Sequence, residues 1–193
     1  MSENSKLIVG LGNPGLEYEY TRHNIGWLAL DCLENTIPLI WKEKFKGLYA
    51  QATVGEEKAY FLKPQTYMNL SGESVQALCQ FFKVKRENIL VIHDEVDLPY
   101  GTLTLKNGGG LAGHNGLKSI AQLMGGQDFL RLRMGIGRPQ RGSVSSYVLS
   151  SFSSDDEMIL EDYLSGAADA IKIYLEQGFG KAASKYSKKN FRE

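Results

Sequence analysis

The feature that most narrows the fold is the run Ile89-Leu90-Val91-Ile92, entered from Asn88 and leaving into His93 and Asp94. It has no polar position to turn toward water. A strand with one wet face alternates apolar and polar residues, whereas a strand covered on both faces reads as a continuous apolar run. Residues 88–93 therefore predict a central strand between two layers of helices, and residues 6–11 predict a second buried strand. Helical spacing of apolar residues predicts helices over 21–34, 71–82, 115–124 and 154–176. Thr21 caps the first. Ser154 with Glu157 reads as a capping box for the last, which Gly178 ends. Further strands are expected at 102–106 and 130–136, with a hairpin of 48–54 and 58–62 around Gly55-Glu56-Glu57. Strands alternating with helices give the α/β class. The expected architecture is a single three-layer α/β/α domain over 1–193 with a mixed, mostly parallel twisted sheet. Its basic tail, from about residue 181, is expected to be loosely held.

Length and composition limit what such a chain can do. At 193 residues, 42% hydrophobic and 23% charged, it can bury one sizeable core. No apolar run is long enough to span a bilayer. The polar start, Met1 to Lys6, has no secretory pattern, and Cys32 and Cys79 sit in apolar helical segments as small buried residues. Both point to the cytoplasm. Formal net charge is zero, so the average says nothing about a polyanionic partner. The distribution says more. Lys106, Lys118, Arg131, Arg133, Arg138 and Arg141 face only Asp128 between residues 101 and 141. A basic face on a neutral protein permits phosphate contact without general stickiness, although solvated surface charge explains the same count.

Gly10-Leu11-Gly12-Asn13-Pro14-Gly15 fits the dinucleotide-binding pattern after a strand. That pattern needs a helix to open at once beneath the pyrophosphate and an acid about 20 residues on, after a second strand. Here Leu16 to Tyr20 intervene, and Asp31 lies within a helix. The glycines instead read as turn residues projecting Asn13 from a strand's carboxyl end. His23, in Thr21-Arg22-His23-Asn24, is expected in the first helical turn, where the helix dipole disfavours a charged imidazole. A nearby carboxylate would do the opposite and would orient the ring. Asp94 ends the strongest strand, and Asp97 reads as a cap or loop residue. His93, Asp94 and Glu95 alternate across a strand and cannot all meet one ion. No His or Cys spacing suggests another site, so no metal and no cofactor are expected. Asn69 either caps the helix after it or faces a ligand. The stretch from Gly108 to Gly116 is either a mobile loop or one that lets a large ligand approach, delivering Asn115 at a helix start. There is no nucleophilic serine motif. One histidine, one carboxylate and three asparagines, each at a turn, suit general-base attack of water on an acyl ester.

Six motifs in order resemble the bacterial-type peptidyl-tRNA hydrolase family over most of the chain. They are Val9-Gly10-Leu11-Gly12-Asn13-Pro14-Gly15, Thr21-Arg22-His23-Asn24, Tyr67-Met68-Asn69-Leu70-Ser71-Gly72, His93-Asp94-Glu95-Val96-Asp97-Leu98-Pro99, Gly113-His114-Asn115-Gly116-Leu117-Lys118 and Arg131-Leu132-Arg133-Met134-Gly135-Ile136-Gly137-Arg138-Pro139. The resemblance implies a monomeric enzyme that cleaves the ester between peptide and tRNA. His23 would be the base and Asp94 the carboxylate that orients it. Asn13, Asn69 and Asn115 would bind the peptide and support the reacting carbonyl and water. Tyr18, Met68 and His114 would line the cleft, and Lys106 and Arg133 would meet the tRNA 5′-phosphate. Two rival readings follow from the same residues: a non-catalytic RNA-binding homologue, from the basic face, and a dinucleotide-dependent enzyme, from Gly10, Gly12 and Gly15.

Overall fold

In the computed structural model, which describes residues 4–193, the run at 89–92 sits in the middle of an eight-stranded sheet. Met1 to Glu3, part of the polar start, lie outside the described residues. In chain order the elements are β1 (Lys6–Gly10), α1 (Ile25–Leu33), β2 (Lys42–Lys44), β3 (Gly47–Val54), β4 (Glu57–Pro64), α2 (Ser71–Phe82) and β5 (Ile89–Glu95). There follow β6 (Thr102–Asn107), α3 (Asn115–Met124), β7 (Leu130–Gly135), α4 (Val144–Val148), α5 (Ser154–Gln177), α6 (Phe179–Lys185) and β8 (Lys189–Asn190). The strand order is β2-β3-β4-β1-β5-β7-β6-β8. Strands β4, β1, β5 and β7 run parallel, and antiparallel partners flank them on both sides.

The apolar run is explained by its two faces. Leu90 and Ile92 join one buried cluster with α1 and α5, while Ile89 and Val91 join the other with α2 and α3. Helix α1 lies unusually close to the sheet. A Cβ on Gly10 would come within 2.5 Å of the Gly26 carbonyl, and one on Gly26 within 2.5 Å of the Ile92 carbonyl. A Cβ on Gly12 would meet the Trp27 ring at 2.7 Å. The glycines of the dinucleotide-like motif therefore serve close packing of α1 on β1 and β5, which draws the residues preceding α1 to the end of β5.

Four local expectations change. The helix expected from Thr21 begins at Ile25, because Arg22–Asn24 form a 3-10 turn and the Thr21 hydroxyl donates to the Tyr18 carbonyl instead of capping. The capping box of α5 uses Ser153 and Asp156, one residue earlier than Ser154 and Glu157. Adjacent serines make the register ambiguous in sequence, and the buried ion pairs of Asp156 fix it. The hairpin loop is only Gly55-Glu56, since Val54 pairs with Glu57. The tail expected to be loose is packed: α6 buries Ala182, and β8 pairs with β6. Its lysines hid two aromatic anchors, Tyr186 and Phe191.

Candidate active site

Because β1, β4, β5 and β7 are parallel, their carboxyl ends open on one edge of the sheet, where ligand sites of open α/β sheets form. A cleft of about 370 Å³ lies there. Asn13, Tyr18, His23, Met68, Asn69, Asp94, His114 and Asn115 all line it. Sequence positions spread over a hundred residues thus meet in one space. Lys106 and Arg133 do not line it. Arg133 lies next to it, bonded to the lining residue Glu95, while Lys106 pairs with Arg131 toward the amino end of β7 on the same sheet face.

All three histidines of the chain gather around Asp94. His23 Nδ1 is 2.8 Å from Asp94 Oδ2, and His114 Nε2 is 2.8 Å from Asp94 Oδ1. The hydrogen bonds fix the tautomer of His114. Its Nδ1 accepts the backbone N–H groups of Gly116 and Leu117 as the cap of α3, so its proton is on Nε2 and points at Asp94. His23 donates from Nδ1 to the same carboxylate, leaving Nε2 unprotonated in the cleft. His93 faces the other side of β5 and is fully buried. Its Nδ1 donates to the Asp94 carbonyl, and its Nε2 has no partner among the described residues.

Electrostatics sharpen these roles. Burial lowers the basicity of His23, but the charge of Asp94 and the hydrogen bond to it outweigh burial and raise its pKa above the ordinary value. His23 precedes α1, in the 3-10 turn Arg22–Asn24, so it is not in the first helical turn where the dipole is expected to disfavour its charge. Burial would raise the Asp94 pKa, yet His23 and His114 hold it well below the usual carboxylate range. For His93, burial first and the neighbouring His114 ring second depress the pKa to about 3. The unfolded chain then takes up a proton that the folded chain refuses. Stability contributed by neutral His93 is present above about pH 6.5 and is lost as pH falls below it, by roughly 1.4 kcal/mol per pH unit. His23 adds no slope in that window, since a raised pKa costs stability only as pH rises through it. His93→Gln keeps a donor for the carbonyl and removes the titration, so its urea midpoint should change less between pH 7 and pH 5 than that of the wild type. Equal changes in both proteins would refute this assignment.

His23 is held by its two chain neighbours. The Asn24 side chain accepts from the Asn13 amide at 2.8 Å and donates to the Asn13 carbonyl at 2.9 Å. Asn13 Oδ1 accepts the Met68 amide at 2.7 Å, so its Nδ2 donors are left for the cleft. Arg22 is buried and bonds to Ser150 and Ser151 and to Asp156. Asn69 is exposed and does not cap α2, whose N-cap is Leu70 without a side-chain bond. Arg131, counted with the basic face in sequence, is buried and pins the carbonyls of Gly109, Gly110 and Gln127. It is a staple for the glycine loop. Arg133 donates twice to Glu95 Oε1, at 3.2 and 3.0 Å.

Sequence reasoning missed Asn24, Arg22 and the far wall of the cleft, formed by Val144, Ser145, Val148 and Leu149. The wall has one local signal, the Ser143 side chain capping α4 by accepting from Ser146. The burial of Asn24 and Arg22 has none. His23, Asp94 and His114 also offer atoms within 4.8 Å that could hold a metal ion. Two ligands of a tetrahedral zinc ion would stand about 3.4 Å apart. The observed 2.8 Å separations are those of N–H···O bonds.

The family model of peptidyl-tRNA hydrolase matches residues 7–193. The chain belongs to the peptidyl-tRNA hydrolase family. It is 47% identical over 184 residues to the peptidyl-tRNA hydrolase of Desulfitobacterium hafniense, covering 95% of this chain and all of that protein. The Bdellovibrio bacteriovorus peptidyl-tRNA hydrolase is also 47% identical, over 185 residues, covering 94% of this chain and 98% of that protein. The crystal structure of the Acinetobacter baumannii peptidyl-tRNA hydrolase superposes with a TM-score of 0.91 at 35% identity, covering 99% of this chain and 98% of that one. Membership of this family accounts for the α/β fold and for the six motifs together.

Proposed function

We propose that this protein hydrolyses the ester between a peptide and the 3′-terminal ribose of tRNA, with His23 as the general base. The observation that carries the mechanism is the Asp94 carboxylate, fixed by two imidazoles so that only His23 Nε2 is free in the cleft. A water held there gives its proton to Nε2, and its oxygen attacks the ester carbonyl. Asp94 stabilises the imidazolium. The amides of Asn13, Asn69 and Asn115, which line the cleft, grip the peptide backbone and the developing oxyanion in this reading without adding charge. When the C–O bond breaks, the imidazolium returns the proton to the ribose oxygen. Neutral donors suit a substrate whose side chains vary while its backbone does not. The test is release of N-blocked amino acid from N-blocked aminoacyl-tRNA by the purified protein. Binding without product would favour the RNA-binding reading.

On the tRNA side, Lys106 is exposed, and Arg133 commits only Nε and Nη2 to Glu95, leaving Nη1 for a phosphate oxygen. Contacts of this kind read shape and charge, not sequence. Lys106→Ala or Arg133→Ala is expected to raise KM for tRNA substrates and to flatten the log–log salt dependence by about 0.7–0.9 for each phosphate left unneutralised. Salt slopes equal to the wild type in both variants would reject the clamp. We further infer action as a monomer in the cytoplasm. Two free cysteines fit a reducing compartment, and no helix of the described residues is long and apolar enough to cross a membrane.

A further inference from the structure

Through Asp156, Arg192 is linked to Arg22, the neighbour of His23, and to Tyr100 in the segment that follows β5. Strand β8 pairs Asn190 with Thr102 and Lys189 with Leu103, and the Asn190 side chain donates to Thr102 Oγ1 at 2.9 Å. The Phe191 amide bonds to the Gly101 carbonyl. Its ring fills the notch left by Gly166, where an added Cβ would come within 2.1 Å of it. This docking delivers Arg192 onto Asp156. Arg192 Nη2 is 2.6 Å from Asp156 Oδ1, while Arg22 Nη2 is 3.3 Å from Oδ2 of the same carboxylate.

Asp156 is thereby a junction. Its carboxylate holds Arg22, the residue before His23, and its carbonyl accepts the Tyr100 hydroxyl at 2.7 Å. Tyr100 belongs to the segment that leaves β5 after Asp94, and the Arg192 guanidinium lies 4.9 Å above its ring. The Arg22 and Asp156 side chains are only 8% and 10% exposed, so water screens their attraction little. Arg22 alone would balance the single charge of Asp156 but engage only one of its oxygens. The second guanidinium, arriving from the last residues of the chain, loads the other oxygen and fixes how the carboxylate turns toward Arg22.

We propose that Arg192, docked by the C-terminal strap, is a positioning residue that sets the His23–Asp94 geometry through Asp156 and Arg22. It touches no reacting atom. Its loss lets the Arg22–His23–Asn24 turn drift relative to β5. Charge on His23 is controlled by what faces it: Asp94 from β5 and His114 at the start of α3. A longer His23–Asp94 separation weakens the interaction that raises the pKa of His23.

The inference rests on His23 acting as the base, so the test includes a measurement that needs no turnover. Arg192→Ala, Arg192→Lys and wild type would be compared by NMR titration of the His23 imidazole, by kcat and KM on N-blocked aminoacyl-tRNA, and by Tm. Arg192→Ala is expected to lower the His23 pKa and reduce kcat roughly 3- to 10-fold with KM little changed. Arg192→Lys is expected to recover most of both. A lower Tm with an unchanged His23 pKa and kcat would overturn the proposal, leaving the strap a stability element. A higher KM at constant kcat would overturn it in favour of an RNA contact. If the wild type releases no product, the ester-hydrolase reading fails, yet the His23 titration still decides the role of Arg192.

Discussion

Replacing His23 with alanine is expected to slow ester hydrolysis roughly 10²–10⁴-fold while leaving tRNA binding intact. The side chain is only 11% exposed and lines the cleft, and its one described hydrogen bond is to Asp94. Removing it deletes the base without opening the core. The effect should fall on kcat, because the variant leaves Lys106, Arg133 and the asparagines untouched. The wild-type pH profile belongs to the same prediction. A base works unprotonated, and Asp94 raises the His23 pKa. The acid limb of kcat/KM should therefore lie above the ordinary imidazole value, with activity lost as pH falls through it. An alanine variant with full turnover, or a wild-type limb below that value, would remove His23 from the role.

Asp94→Asn is expected to cost nearly as much, roughly 10²–10⁴-fold, by forcing the wrong tautomer. The carboxylate accepts from two imidazoles at once, whereas an amide offers one oxygen and one NH₂. His114 cannot adapt, because its Nδ1 is occupied by the amides that start α3 and its proton must stay on Nε2. The amide oxygen therefore turns to His114, and the NH₂ group faces His23 Nδ1. His23 must then accept at Nδ1 and carry its proton on Nε2, which is the atom that should receive one from water. Nitrogen-15 chemical shifts of the His23 ring would report the switch directly. Turnover within about threefold of the wild type would show that the carboxylate neither orients nor stabilises the base.

The two predictions depend on different kinds of information. Asp94 was legible at the end of an apolar run, because a covered strand must end at an edge of the sheet and side chains there face solvent or ligand. Asn13, after the first strand, was legible for the same reason. Gly10, Gly12 and Gly15 around Asn13 match a dinucleotide pattern by spacing alone, and the lack of an immediate helix already argued against that reading. His114 was legible only as a residue of the cleft. Its two bonds, one to α3 and one to Asp94, make it the reason that Asp94 has a single free partner. Nothing in Gly113-His114-Asn115 shows that, since a histidine cap looks like any loop histidine. Arg131 and Arg133 differ by two positions and share a sheet face, yet one is buried under a glycine loop and the other sits against Glu95. Charge counting could not separate them.

By itself the sequence determined the layers, the central strands and most helix boundaries, because periodicity and continuous apolar runs are local records of which faces meet water. It also singled out most of the polar residues that meet in the cleft, since residue chemistry is local too. The tertiary structure alone decided the tautomers, the direction of the His23 pKa shift and the anchoring of the turn that carries His23. Those follow from distances between groups far apart in the chain, and electrostatic and hydrogen-bond energies depend on such distances and on burial. The ordered C-terminal strap belongs to the same class: its lysines suggested solvent, and the aromatic residues between them found a notch that only the folded α5 presents.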